Sequence, residues 1–251
     1  PETSENGEFY AESTAVRTLA FLLNAILALS VLVWMGLHFA WIRIPPNMLP
    51  WAALDLDSPP GWSPRLRINS LAMDGEQCLM TLARSQLIYK PVDARPLKEG
   101  CGLESGVTIE RSQIPYNQVF EARCAVVAGL YWYERDLEAL ARAHLGAGIA
   151  RIDHWGTYAC RNINARKEGR RSQHATANAI DIAGFVLTDG TTVQVLRDWG
   201  TDTPKGRFLA EAHRGACQYF NAVLGPSYNA DHRDHFHFDL KARRKGYRAC
   251  R

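Results

Sequence analysis

The chain has 251 residues, of which 47 % are hydrophobic and 22 % are charged, and both fractions are ordinary for a globular protein. The formal net charge of +3 is too small to argue for nucleic-acid binding, so we expect no nucleic-acid partner. The length allows one domain of ordinary size with additional segments.

An apolar segment near the N-terminus, Leu19–Ile42, contains no Asp, Glu, Lys or Arg. A helix over this segment would be roughly 36 Å long, which is enough to cross a bilayer. A signal peptide is the alternative, but the apolar run is long and no Ala-x-Ala cleavage site follows it. We therefore predict an N-terminal tail over residues 1–17 and a single transmembrane helix over residues 18–43.

The cysteines favour an oxidising location for everything after that helix. Their even number and their confinement to the later part of the chain are typical of disulfides, and none forms a Cys-x-x-Cys zinc motif. We expect a single-pass protein of the inner (cell) membrane with its soluble domain in the periplasm. Proximity along the chain suggests a Cys78–Cys101 pair. The six cysteines are Cys78, Cys101, Cys124, Cys160, Cys217 and Cys250.

Prolines are frequent directly after the apolar segment, from Pro45 to Pro64. Such a composition predicts a stiff, extended linker, which we place over residues 44–75. The remaining residues, 76–251, are predicted to form one domain that the linker holds away from the membrane.

Hydrophobic periodicity in residues 76–251 alternates between helical and strand patterns. Helices flanking a mostly antiparallel sheet belong to the α+β class, which we predict for this domain. Helical patterns cover Cys78–Leu87, Cys124–His144 and Arg207–Leu224, and strand patterns cover Gly106–Arg111, Ile149–Cys160, Ala179–Leu187, Thr191–Leu196 and Phe236–Leu240.

Histidines and aspartates cluster in two short stretches of the second half of the chain. The first contains His174 and Asp181, and the second contains His232, His235 and His237. Neutral imidazole and carboxylate are ligands that suit Zn²⁺, and a catalytic zinc ion usually has three protein ligands and one open position. The pattern predicts a zinc site, although surface histidines can also cluster by chance.

Several short motifs accompany these residues. They are Cys101-Gly102, Gly156-Thr157-Tyr158-Ala159-Cys160-Arg161, Ser172-Gln173-His174 through Asp181, Leu224-Gly225-Pro226, Asn229, and His232-x-x-His235-x-His237. With them, the stretch from about Gln77 to Leu240 resembles the extensin-like C-terminal domain family. That domain is in turn similar to the D-Ala-D-Ala-type zinc peptidases and the penicillin-insensitive murein endopeptidase, which implies a Hedgehog/D-Ala-D-Ala-peptidase-like fold.

The resemblance implies a zinc ion (Zn²⁺) held by His174, Asp181 and His237. Many peptidases of the group carry a Glu as general base three residues before the last ligand, but here that position is Asp234. On an ideal strand Asp234 would face away from His237. The endopeptidase pattern instead implies that His235, alone or together with His232, transfers the proton.

Two further residues are candidates for substrate binding. The resemblance places Arg161 where it could clamp a peptide carboxylate, although a structural ion pair is an equal alternative. Ser172 could hydrogen-bond the substrate or merely support the turn before His174. Asp239 could orient a histidine.

Three functions remain open at this stage. The first is a membrane-anchored zinc peptidase or amidase that acts on peptidoglycan stem peptides. The second is a non-catalytic module of the same fold that binds peptidoglycan. The third is an accessory subunit whose transmembrane helix joins a larger membrane-protein complex. Zinc ligands alone do not separate the first two, because a folded site need not be active.

Overall fold

The structure is a computed structural model that describes residues 5–49, 52–243 and 246–251, with side chains described from residue 16 onward. The chain divides into two compact units, residues 1–49 and 50–251. In the first unit, helix α1 covers Glu5–His38 and a 3₁₀ turn follows at Pro46–Met48. Within α1, Val16–His38 is long and apolar enough to cross a membrane. Helix α1 therefore includes most of the predicted N-terminal tail.

The second unit is a mixed α+β domain, as the sequence predicted. Its helices are α2 (Pro64–Met73), α3 (Gly75–Leu82), α4 (Cys124–Leu145), α5 (Val195–Asp198) and α6 (Pro204–Ala216). Its strands are β1 (Ile88–Pro91), β2 (Arg95–Lys98), β3 (Cys101–Leu103), β4 (Gly106–Arg111), β5 (Phe120–Arg123), β6 (Ile149–Gly156), β7 (Ala179–Leu187), β8 (Thr192–Gln194), β9 (Ala222–Leu224), β10 (Phe236–Asp239) and β11 (Ala249–Cys250).

The largest sheet among the described residues has six strands. Five follow the order β11-β9-β10-β7-β6, and β8 pairs with the other part of β7. Every pairing in this sheet is antiparallel except that between β11 and β9. Two smaller sheets, β1-β4-β5 and β2-β3, complete the domain.

One face of the large sheet packs on helices α4 and α6, and the other face is left for polar side chains. Strand β10 shows the division, because Phe236 and Phe238 are fully buried in the core while His237 and Asp239 point the other way. Phe238 stacks on Phe220 at a centroid distance of 5.1 Å. Burial of these aromatic side chains fixes the register of β10 and so fixes where its polar residues lie.

The predicted linker is shorter in the structure. Leu54 and Leu56 are buried in the domain core, and α2 contributes the buried Ile68 and Leu71. The proline-rich composition of this segment led to the prediction of a linker and gave no indication of the buried leucines or of α2. Helix α2 starts with Pro64 in its first turn, a position that tolerates proline. Of the predicted linker, residues 52–75 therefore belong to the folded domain, and residues 50 and 51 lie outside the described residues.

Two other element predictions need correction. The helix predicted over Arg207–Leu224 ends at Ala216, and its last residues form strand β9 instead. The strand predicted over Thr191–Leu196 covers only Thr192–Gln194, after which the chain turns into α5. In both cases apolar residues fit helix and strand periodicity equally, and sheet pairing decides between them.

All six cysteines are paired, but Cys78 and Cys101 do not bond to each other. The bonds join Cys78 to Cys124, Cys101 to Cys160 and Cys217 to Cys250. Proximity in sequence was misleading because Cys78 is fully buried on α3, where it meets the first residue of α4. Disulfides of this number are typical of extracytoplasmic domains.

We expect non-reducing peptide mapping of protein from its native host to recover these three cross-linked peptide pairs. Replacing both Cys78 and Cys124 with serine should lower the free energy of unfolding by about 2–5 kcal/mol, because the unfolded chain is then less constrained. Denaturant unfolding measures this loss. Six free thiols in the native protein would contradict the prediction and would place the domain in a reducing compartment.

Candidate metal centre

Three side chains converge on the polar face of the large sheet. Asp181 on β7 and His237 on β10 are direct partners in the antiparallel register, so both point to the same side. His174 lies in the 3₁₀ turn Gln173–Thr176, directly before β7, and the turn ends at Ala177 in the left-handed conformation (φ 48°). This reversal directs the chain into β7 and brings His174 over Asp181.

The three side chains offer ligand atoms at contact distance from one another. His174 Nε2 lies 3.1 Å from His237 Nδ1 and 3.2 Å from Asp181 Oδ1, and His237 Nδ1 lies 2.9 Å from Asp181 Oδ1. All three residues are buried. They form a group that could hold a metal ion.

Neighbouring acceptors fix which ring nitrogens face this centre. His174 Nδ1 donates to the carbonyl oxygen of Thr157 at 2.9 Å, which leaves Nε2 directed inward. His237 Nε2 faces the Asp239 carboxylate at 3.4 Å, which leaves Nδ1 directed inward. Asp239 in turn accepts two hydrogen bonds from Arg243, at 3.0 and 2.9 Å. Such outer partners hold metal-binding imidazoles in the correct tautomer.

Without a metal ion, His237 and Asp181 form a buried ion pair at the centre. Burial alone would lower the pKa of His237, but hydrogen bonds with Asp181 and Asp239 outweigh burial and raise it to about 9. Burial would raise the pKa of Asp181, but its close contacts with His174 Nε2 and His237 Nδ1 hold the pKa far below its ordinary range. A proton on His237 therefore supplies the positive charge between acceptor atoms that would otherwise repel each other.

The two histidines expected to transfer protons lie beside these three converging side chains. His235 Nε2 is 3.6 Å from Asp181 Oδ1, and the His235 ring stacks obliquely on Trp155 at a centroid distance of 5.3 Å. The His232 ring is 5.2 Å from that of His235, and its Nδ1 is 2.6 Å from Asn229 Oδ1. Burial and the neighbouring histidines lower the pKa of His232 to about 4, so it is neutral at neutral pH.

Ideal-strand alternation does not determine the direction of Asp234 in the structure. Strand β10 begins only at Phe236, so Asp234 and His235 lie in the preceding turn, where alternation does not apply. Asp234 Oδ1 accepts a hydrogen bond from His235 Nδ1 at 2.9 Å. Asp234 therefore orients His235, with Nε2 facing the centre.

The two candidate substrate-binding residues differ in their surroundings. Ser172 is buried, and its Oγ accepts a hydrogen bond from the backbone N–H of His174 at 3.3 Å, so it supports the turn. Arg161 is half-buried and lines the cleft, and its guanidinium has no hydrogen bond or ion pair among the described residues. Arg161 is thus available to a ligand, and the structural ion pair considered above does not form with any described residue.

The centre opens into a cleft of about 860 Å³. Positive side chains predominate in its walls, whereas two of its three acidic groups, Asp181 and Asp239, contact histidines of the centre. The basic lining residues are Arg161, Arg170, Arg171, Lys241, Arg243 and Arg251, and the acidic ones are Asp181, Asp231 and Asp239. This charge distribution attracts anionic ligands.

Residues 76–251 match the family described as extensin-like protein C-terminus, which covers most of the chain. The chain belongs to this family. Comparison with curated proteins and with solved structures found no significant match. The extensin-like domain contains every residue of the centre described above, from Trp155 to Arg243.

Some members of the centre gave no signal in the sequence. The carbonyl of Thr157 fixes the His174 ring, and any residue could supply a carbonyl at this position. Trp155 contacts His235 although 57 % of its surface is exposed, and only the pairing of β6 beside β7 brings it there. An exposed tryptophan next to a cysteine-containing motif is the signal that could have drawn attention to it.

Proposed function

We propose that this protein is a membrane-anchored, zinc-dependent peptidase or amidase that acts on peptidoglycan stem peptides, with its extensin-like domain in the periplasm. The observation that carries the proposal is the convergence of His174, Asp181 and His237 beside a fourth polar group, His235, in one cleft. The similarity of the motifs to zinc peptidases, noted from the sequence, supports the choice of reaction.

The donor set fits zinc in type and in spacing. Two imidazoles and one carboxylate are common ligands of catalytic zinc, and ligand atoms about 2.0 Å from a tetrahedral ion are roughly 3.3 Å apart. The separations of 2.9–3.2 Å among the three ligand atoms are close to this value. Because His237 carries an extra proton when no metal is bound, metal binding would release that proton.

When bound by these residues, zinc would supply Lewis acidity, which polarises a scissile carbonyl and lowers the pKa of water. The proton steps belong to His235, whose Nε2 faces the centre while Asp234 holds Nδ1. His235 takes a proton from the attacking water and gives it to the leaving amine. Arg161 binds a carboxylate of the peptide, and His232, neutral and bonded to Asn229, packs beside His235.

The placement rests on α1 and on the disulfides. A helix that is apolar enough to span a membrane, joined to a disulfide-bonded domain, suits an inner-membrane protein whose domain faces the periplasm. In that position the domain meets peptidoglycan directly. The same helix also offers a contact for a membrane-protein partner.

The deciding experiment is digestion of purified peptidoglycan by the full-length chain, in detergent and loaded with zinc, followed by chromatography of the released fragments. New peptide termini that depend on zinc would support a hydrolase. Zinc binding and retention on peptidoglycan without any new termini would favour the non-catalytic binding module.

A substitution at Asp239 tests whether the residues that contact the ligands, and are not ligands themselves, contribute to zinc affinity. Replacing Asp239 with asparagine should weaken zinc affinity about 10–100-fold, since the His237 ring loses its carboxylate partner and Arg243 loses its ion pair. Competition with a chromophoric chelator measures the affinity. Asp189→Asn, an exposed change on a remote turn, is the control, and equal affinities in the two variants would contradict the assigned role of Asp239.

A further inference from the structure

The floor of the cleft is formed by alternating side chains of a single extended segment. Residues 237, 239, 241 and 243 all line the cleft, whereas Phe236, Phe238 and Leu240, which alternate with them, are buried in the core. The period of two continues beyond β10, so Lys241 projects into the same cleft as the ligand His237.

A second segment lines the cleft with the same period. Tyr247, Ala249 and Arg251 face it, and the alternate residues Arg248 and Cys250 do not. Strand β11 runs parallel to β9, and the backbone hydrogen bonds Arg251 N–H to Val223 O and Gly225 N–H to Arg251 O extend this pairing by one residue. Arg251 therefore stands beside Leu224 in the sheet.

The registers of three strands place Arg251 in line with the metal centre. Leu224 pairs directly with His237 across β9 and β10. His237, Leu224 and Arg251 thus form one row across the sheet, with their side chains on the cleft side. Two strand spacings separate the backbone positions of His237 and Arg251, which is roughly 10 Å. An apolar side chain, Leu224, lies between the centre and the guanidinium.

Two basic side chains at this end of the cleft have no partner within the part of the chain that the structure describes. Arg243 is paired with Asp239, but the side chains of Lys241 and Arg251 have no hydrogen bond or ion pair with any described residue. The adjacent Cys217–Cys250 disulfide attaches the two-residue strand β11 to the end of α6. The backbone at Arg251 is therefore held in place although its strand is short.

From this row we infer a second anion-binding subsite, formed by Arg251 with Lys241, that recognises a carboxylate of the substrate on the order of 10 Å from the bond cleaved at the centre. The inference rests on the proposed function and narrows its substrate class to peptides with two separated carboxylates. Arg161 accounts for one carboxylate near the centre, and Arg251 for the other. The apolar surface of Leu224 contacts the part of the peptide between them.

The test compares two ligands with two variants of the full-length chain in detergent. The ligands are one purified muropeptide with free carboxylates and the same muropeptide amidated with ammonia and a carbodiimide. Calorimetry on the zinc-free protein measures the Kd of each muropeptide without turnover. Cleavage assays on the zinc-loaded protein then measure KM and kcat. Arg251→Gln should weaken binding of the acidic muropeptide roughly tenfold, as expected for loss of one partly exposed charge-assisted hydrogen bond, and should raise KM more than it lowers kcat.

Arg248→Gln is the matched control, because Arg248 is an exposed arginine of the same segment that does not line the cleft. The preference for the acidic over the amidated muropeptide should shrink in Arg251→Gln and stay unchanged in Arg248→Gln. An unchanged preference in Arg251→Gln, or equal effects in both variants, overturns the subsite while the proposed function stands. A wild-type protein that neither binds nor cleaves the muropeptide overturns the proposed function and the subsite with it.

Discussion

A chain in which His174 and His237 are both replaced by alanine is expected to bind no zinc, whereas the unaltered chain should bind about one ion. The two imidazoles supply two of the three ligand atoms that lie within 3.2 Å of one another, and Asp181 alone is a weak monodentate site. Turnover of peptidoglycan peptides should disappear together with the metal. Metal analysis of protein purified without chelator measures the first result, and fragment release measures the second.

Two controls make this result interpretable. His144→Ala removes a histidine from the last turn of α4, away from the centre, and should leave zinc content unchanged. Non-reducing mapping of the double variant shows whether the three disulfides still form, which separates loss of ligands from loss of fold. Full zinc content in a correctly bonded double variant would prove the ligand assignment wrong.

Replacing His235 with alanine is expected to leave zinc bound and to lower kcat by about 10²–10⁴-fold, the usual contribution of a general acid–base group. His235 is not one of the three converging ligands, yet its Nε2 lies 3.6 Å from Asp181 Oδ1 and faces the cleft. Paired measurements of zinc content and of fragment release from purified peptidoglycan test both parts. Loss of zinc in this variant would show that His235 is a ligand rather than a proton carrier.

Substitutions at Asp234 test how His235 is oriented and complement the His235→Ala measurement. An Asp234 side chain that faced away from His237 on a strand would make Asp234→Ala mild, but the hydrogen bond to His235 Nδ1 leads us to expect a clear loss of kcat, smaller than that of His235→Ala. Asp234→Asn keeps an oxygen acceptor for the imidazole and should retain more activity than Asp234→Ala. An active His235→Ala variant beside an inactive Asp234→Ala variant would identify Asp234 as the base.

Sequence patterns predicted those parts of the centre that have a local signature. The resemblance of the motifs to zinc peptidases pointed to His174, Asp181 and His237, and alternation placed His237 on a strand whose other face is apolar. The structure brings these three side chains together. Alternation could not be applied to Asp234, because β10 begins only at Phe236 and Asp234 lies in the turn before it.

Contacts between distant segments had no such signature. The buried position of Cys78 and its bond to Cys124 depend on how α3 packs against α4, which spacing in the chain does not determine. The sequence of β9 is also compatible with a helix, and it forms a strand because it pairs with both β10 and β11. The row from His237 to Arg251 exists only through that pairing, so the candidate subsite could not be predicted from residue types.

The order of the ligands along the chain has a consequence for biogenesis. His174 and Asp181 are seven residues apart, but His237 follows Asp181 by 56 residues, and it reaches them only when β10 joins the sheet. A chain still emerging from the ribosome or crossing a membrane therefore lacks the third candidate ligand. If the centre binds metal as we propose, the metal would be selected late, after folding, from the ions of the compartment in which the domain matures rather than from those where it is synthesised.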